Sequence, residues 1–118
     1  MLVIEFISGQ KFIELKRDYT FYVYILTNPS KSVLYIGFTN NLTERLKQHK
    51  EKRGTERTFT GRYFANQLVY YEVYQYVNEA IAREKQLKKW SRSKKEWLIN
   101  QKNPDWHSLN RDFHIGEE

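Results

Sequence analysis

The sequence predicts an α+β fold: a three-stranded antiparallel sheet flanked by helices. Three observations carry it. Two runs rich in aromatic and branched residues, 21–26 and 33–38, are separated by Asn28-Pro29-Ser30. Proline fixes φ there and offers no N–H to a ladder, so the two runs read as a hairpin. A third such run, Leu68 to Tyr74, supplies one more strand. Polar cap residues then precede apolar positions at helical spacing, twice after the hairpin and once more near the C-terminus.

Residues 1–18 form an N-terminal extension with two readings. Val3 to Ile7 and Lys11 to Leu15 flank Ser8-Gly9-Gln10 as the arms of a second hairpin would; the other reading is a poorly ordered extension. No function attaches to it. Along 21–26 the side chains alternate, with Tyr22, Tyr24 and Leu26 on one face and Phe21, Val23 and Ile25 on the other. Folding back of the second run places Tyr35 nearly opposite Tyr24. Asn41 reads as a helix N-cap, with Glu44 completing a capping box. Leu42 and Leu46 make the core stripe of that helix, and Arg45 and His49, four apart, share an adjacent face.

From Lys50 to Tyr63 the chain is basic and broken by Gly54 and Gly61, so it reads as a long loop, with room for a short helix over Tyr63-Phe64-Ala65-Asn66. Asn78 is expected to cap a helix to Trp90 whose buried stripe is Ala80, Ile81, Leu87 and Trp90. Glu84 falls inside that stripe, and Arg83, Lys85, Lys88 and Lys89 flank it as a cationic collar. A carboxylate facing a core is costly unless it is paired or binds a cation. Glu84 is therefore half of a structural salt bridge or a ligand. Ser93 with Glu96 is expected to start a last helix that Asn103-Pro104 ends. Trp106 is expected to pack back on the sheet, and residues 112–118 to fray. The domain boundaries are thus 1–18, 19–106 and a tail of 107–118.

A chain of 118 residues suits one domain that buries roughly two-thirds of its unfolded surface. The absence of cysteine excludes a disulfide framework and a thiolate zinc site, and His49, His107 and His114 are too scattered to form a metal cluster by spacing. A net charge of +6 favours a polyanionic partner, which charge alone leaves as nucleic acid or an anionic membrane surface. No run approaches the length of a transmembrane helix. The start lacks a basic n-region and a small-residue cleavage site, so the expected compartment is the cytoplasm.

The elements Tyr22-Val23-Tyr24, Tyr35-Ile36-Gly37 and Arg45, at these spacings, resemble the GIY-YIG nuclease family. The chain is similar to its small single-domain members and to the nuclease module of the excision-repair endonuclease. Tyr22 stands where the family name has Gly. The resemblance covers about residues 21–106. It implies a metal-dependent endonuclease that hydrolyses DNA phosphodiester bonds, selecting structure (branched or nicked DNA) over sequence, with Mg2+ or Mn2+ as cofactor. The family carries one metal-binding glutamate on a helix after the third strand, and Ala82-Arg83-Glu84-Lys85 matches that position. It also implies that Tyr35 is the base, and that Arg62 and Tyr63 contact the nucleic-acid backbone.

The chemistry permits these roles. Magnesium uses few carboxylates and keeps several waters, so Glu84 alone suffices to hold it. The Arg45 guanidinium fork matches a scissile phosphate. A free tyrosine titrates near ~10, so Tyr35 needs cations nearby to act as base. Tyr24 would position the water or polarise the base, while His49 is an alternative base or a phosphate contact. Gly37 would let the backbone approach substrate closely. Lys85, Lys88, Lys89 and Arg92 would supply salt-dependent affinity. No appended recognition domain is evident, so specificity is expected to be low or to come from a protein partner. The alternative is a nucleic-acid-binding module of the same fold with little or no catalysis. The basic residues explain that reading by themselves, whereas retention of Tyr24, Tyr35, Arg45 and Glu84 favours the enzyme.

Overall fold

The computed structural model describes residues 20–116 and the backbone of Leu2–Val3 and Lys16–Arg17. The latter are two short strands, β1 (Leu2–Val3) and β2 (Lys16–Arg17), paired antiparallel with Leu2 opposite Arg17. The turn expected at Ser8-Gly9-Gln10 lies outside the described residues.

The main sheet comprises β3 (Phe21–Thr27), β4 (Leu34–Thr39) and β5 (Gln67–Tyr74), in the order β4-β3-β5 and antiparallel throughout. The predicted fold class is the observed one. The turn between β3 and β4 is held by Asn28, whose Oδ1 accepts from Ser32 N (2.8 Å) and Val33 N (3.2 Å). Arg92 closes it from outside, donating to the carbonyls of Lys31 (2.7 Å) and Ser32 (2.9 Å).

Helix α1 (Leu42–Glu51) follows β4, and a single turn, α2 (Phe59–Arg62), precedes β5. Helices α3 (Val77–Lys89) and α4 (Arg92–Lys102) follow, with a 3-10 turn at Asn110–Phe113. Both faces of the sheet are covered, which is why the central strand β3 is buried from Val23 to Thr27. On one face Val23, Ile25, Ile36, Val69 and Tyr70 pack with Ala80 and Leu87 of α3 and Leu98 and Ile99 of α4. On the other, Tyr24, Leu26 and Leu68 pack with Leu42 and Leu46 of α1 and with Ile115. The alternation read from 21–26 is therefore a division between two cores. A register shift between Ile25 and Leu26 on the β5 side brings Val69 and Tyr70 to the same cluster.

Several local expectations change. Asn41 caps α1 through Glu44 N (3.1 Å), but its own N–H goes to Thr39 Oγ1, so the reciprocal half of the capping box is absent. The short helix sits at Phe59–Arg62 and not at 63–66, because Phe64 takes a left-handed φ of 57°. Helix α3 starts at Val77 after Tyr76 with no side-chain cap, so Asn78 is inside it. Ser91, not Ser93, caps α4, accepting from Lys94 N (3.2 Å), and Glu96 pairs with Arg92 (2.8 Å). Arg83 leaves the expected collar: it makes a two-point contact with Glu72 on β5 (2.9 and 2.9 Å) and lies over the Trp90 ring.

Residues 112–116 pack against the domain where fraying was expected, and 117–118 lie outside the described residues. Leu109 N donates to Leu68 O (2.7 Å), Asn110 Oδ1 accepts from Leu68 N (2.8 Å) and Asn103 Nδ2 donates to Val69 O (3.0 Å). These bonds occupy the outer edge of β5, and burial of Ile115 anchors the end. Trp106 is partly buried against the cluster that the sheet forms with α3 and α4. Among the described residues, no helix is long and apolar enough to cross a membrane.

Candidate active site

The site starts from Gly37. In the ladder Gly37 stands opposite Tyr24, whereas Tyr35 faces Leu26. Tyr24 and Tyr35 are thus diagonal neighbours on one face, not directly opposed, with ring centroids 6.3 Å apart. A Cβ at position 37 would fall 2.3 Å from Cζ of Tyr24 and 2.4 Å from its hydroxyl oxygen. The Tyr24 ring consequently lies across β4, the edge strand, and carries its hydroxyl toward the free edge of the sheet. Gly37 itself is buried. The space its missing side chain leaves is taken by the Tyr24 ring.

Helix α1 supplies the next layer. Leu42 and Leu46 seat it on the sheet, and this turns His49 inward, where it is buried. His49 Nε2 lies 3.1 Å from the Tyr24 hydroxyl, and Nδ1 lies 3.1 Å from Thr60 Oγ1 on α2. Gly61 lets α2 come this close: a Cβ there would meet Thr55 Oγ1 at 2.5 Å and the Lys52 carbonyl at 2.6 Å. Tyr35 completes the cluster, its ring 5.6 Å from His49 and stacked at 6.4 Å on Phe59. Phe59 in turn contacts Tyr63 at 4.8 Å, and both rings are over two-fifths exposed.

Electrostatics tie the remaining residues to the same hydroxyl. Burial pushes the Tyr24 hydroxyl up to about 12, and Tyr35 adds to the rise; a hydrogen bond and the charge of Arg45 oppose it, and the Glu84 carboxylate raises it further. Arg45 is half-buried and donates from Nη1 to Gln48 Oε1 (2.8 Å). Glu84 comes from α3, whose Ala80 and Leu87 pack on the opposite face of the sheet. Its charge is the least of the influences on the Tyr24 hydroxyl. Glu84 is half-buried, and its ion pair is with Lys88, one turn on, at 3.4 Å.

His49 is lowered to about 4, by burial first and then by the charges of Arg45 and Lys52. It is therefore neutral at pH 7 with both nitrogens engaged, and does not carry the charge a phosphate contact would use. Linkage gives a sign. The unfolded chain takes up a proton near pH 6.5 that the folded chain refuses until about pH 4. Stability is therefore full above pH 6.5 and falls as pH drops through that window, by on the order of 2–3 kcal/mol. Urea melts of the wild type between pH 7 and 4 should show this loss, and His49→Gln should flatten it. Equal slopes in the two proteins would place the titration elsewhere.

The other nominated residues divide. Lys85, Lys88 and Lys89 are exposed along α3. Arg62 and Tyr63 are exposed on and after α2, with Arg62 Nη2 donating to Glu56 O (3.3 Å). Arg92 is engaged with the β3–β4 turn and with Glu96. Thr60, Phe59 and Gln48 were not legible as site residues. Thr60 stands eleven positions from His49 with no periodic relation to it, and an aromatic in the basic stretch was the only signal for Phe59.

Residues 20–97 match the family model of the GIY-YIG catalytic domain. The chain is 43% identical over 94 residues to a UPF0213 protein of Clostridium perfringens, covering 80% of this chain and 98% of that one. It is 40% identical over 85 residues to a UPF0213 protein of Syntrophus aciditrophicus, covering 71% and 93%. Among solved structures it is similar to the solution NMR structure of a UPF0213 protein from Bacillus halodurans, at 31% identity and a TM-score of 0.48, covering 74% of this chain and 89% of that one.

Proposed function

The chain belongs to the GIY-YIG catalytic-domain family, a family of nucleases, and from that premise we propose that it is a metal-dependent endonuclease that hydrolyses DNA phosphodiester bonds and selects DNA structure over sequence. One observation carries the reading: Tyr35, Arg45, His49 and Glu84, from three separate elements, all act on the single Tyr24 hydroxyl.

A divalent cation suits these residues. Among the described residues no three His, Asp or Glu side chains gather as a metal cluster, and Glu84 is the carboxylate at the site. A single carboxylate fits Mg2+ or Mn2+, which keep several waters and take substrate phosphate as a ligand, and fits zinc poorly. Glu84 would hold the ion, which when bound stabilises negative charge on the phosphoryl oxygens. Arg45 binds the scissile phosphate through its guanidinium fork. Tyr35, whose ring lies against those of Tyr24 and His49, takes the proton of the attacking water as its phenolate. Tyr24 cannot share that task at neutral pH because its hydroxyl holds its proton to about 12. It serves as a donor, and neutral His49, itself fixed by Thr60, keeps it in place. His49 is thus a positioning residue in place of the alternative base.

Lys85, Lys88 and Lys89 on α3, with Arg62 and Tyr63 beside α2, contribute the nucleic-acid surface. Changing Lys85 and Lys89 to Gln should lower the slope of log affinity against log salt by about 1.8 for duplex DNA. Lys88 is left intact because it pairs with Glu84. An unchanged slope would turn α3 away from the nucleic acid. The function itself is tested by incubating the protein with nicked and branched DNA, with and without magnesium. Cleavage is expected only with the metal, and failure to cut any DNA or RNA structure with any divalent ion would favour the binding module.

A further inference from the structure

The single turn α2 buries its small residues and exposes its ring. Thr60 and Gly61 are inside, while Phe59 and, directly after the turn, Tyr63 face solvent. A lone exposed apolar residue is ordinary on a protein surface. These two rings touch, at 4.8 Å between centroids, and Phe59 stacks in turn on half-buried Tyr35 at 6.4 Å and 26°. The three rings make one path from the proposed base out to solvent. The backbone beneath them is braced. Thr58 Oγ1 accepts from Gly61 N (3.0 Å), Gly61 O accepts from Gly54 N (2.7 Å), and Tyr63 N donates to Phe59 O (3.1 Å). Thr60 Oγ1 meets His49 Nδ1 at 3.1 Å. A braced surface has little ordering left to lose when a ligand packs on it.

We propose that Phe59 and Tyr63 form a stacking platform for one unpaired base of the substrate, at or next to the nucleotide whose phosphate is cut. Adjacent rings of this kind suit a flat π-faced ligand, and every base has such a face whatever its sequence. In an intact duplex both faces of a base are covered by its neighbours, whereas at a nick, branch or single strand a face is free. The platform therefore favours interrupted DNA without reading sequence. Its contact with Tyr35 sets the register: a base held there belongs to the reacting nucleotide or its neighbour. Within 56–63 two arginines, Arg57 and Arg62, stand against one carboxylate, Glu56, in keeping with a ligand that carries phosphate beside its bases. The proposal rests on the endonuclease reading for the place of the reacting phosphate, and adds the group that recognises substrate structure.

The test is fluorescence anisotropy without metal, using short labelled single strands of DNA and RNA and a blunt DNA duplex. Phe59→Leu keeps an apolar side chain and removes the ring. It should weaken single-strand binding about tenfold and leave the duplex unchanged. Tyr63→Leu added to it should deepen the single-strand loss, while Phe59→Tyr, which keeps the ring, should bind as the wild type does. Loss with DNA, RNA or both supports the platform and tells which sugar it accepts. Thermal melts establish that each variant is folded. Wild-type single-strand affinity in the folded double variant, or an equal loss for the duplex, would overturn the platform. So would a wild type that binds the duplex and neither single strand. Because binding is read without metal, a protein that cuts no DNA could still show the platform. A platform that fails in this assay leaves the cleavage result standing.

Discussion

Glu84→Gln should abolish magnesium-dependent cleavage, by about a hundredfold or more, and leave the fold intact. The carboxylate is the charge proposed to hold the cation, and a bound cation contributes several kcal/mol to the charged transition state. Glutamine keeps the side-chain shape and removes that charge. The stability side follows from the observed partner. Glu84 pairs with Lys88, whose side chain is 53% exposed, so the pair is a surface pair one helical turn apart. Such pairs contribute no more than about 0.5 kcal/mol, far from the roughly 3–5 kcal/mol of breaking a buried one. The melting temperature should therefore hardly move, while binding through the basic surface persists. Cleavage of nicked or branched DNA with and without magnesium, alongside a thermal melt, reads both. Wild-type cleavage by the variant would end the proposed mechanism, and a large drop in melting temperature would return Glu84 to a structural role.

Gly37→Ala should be strongly destabilising. The new Cβ would lie 2.3 Å from Cζ of a fully buried tyrosine, so the Tyr24 ring must leave its position. Overpacking of this kind and the broken hydroxyl–imidazole bond together cost about 2–4 kcal/mol. That lowers the melting temperature by roughly 10 °C for a domain of this size. Cleavage should fall with it, because the displaced hydroxyl releases His49 and disturbs the neighbouring Tyr35. The control is the same change in a Tyr24→Ala background. With the ring gone the penalty should vanish, giving a coupling energy close to the whole single-variant loss. A penalty that survives there would come from strand geometry and not from Tyr24.

Much of the fold was legible because it depends on local chemistry. Strict alternation in 21–26 announced the strand, Pro29 announced the turn, and Asn41 ahead of Leu42 and Leu46 announced α1. The errors cluster at helix caps and where a distant element intervenes. Ser93 was expected to start α4, and the cap is Ser91, two residues earlier. Arg92, one residue on, is tied across to the carbonyls at 31 and 32. Residues 112–118 looked free because Phe113 and Ile115 are their two apolar residues among polar ones; burial of Ile115 needs the Leu68 edge, which lies over forty residues away.

The sequence by itself determined the strand and helix types and the two faces of β3, and it nominated Tyr24, Tyr35, Arg45, His49 and Glu84. Those depend on period, on side-chain type and on a matching motif, all of which are local or countable. How each of those residues is held was decided only by the tertiary structure. The register set Gly37 directly opposite Tyr24, so the Tyr24 ring lies across the edge strand and Tyr35 is its diagonal neighbour. Enclosure by Thr60, together with the charges of Arg45 and Lys52, turned His49 from an available base into a neutral support. Desolvation and cross-strand contact are properties of neighbours far apart in the chain, and no stretch of sequence contains them.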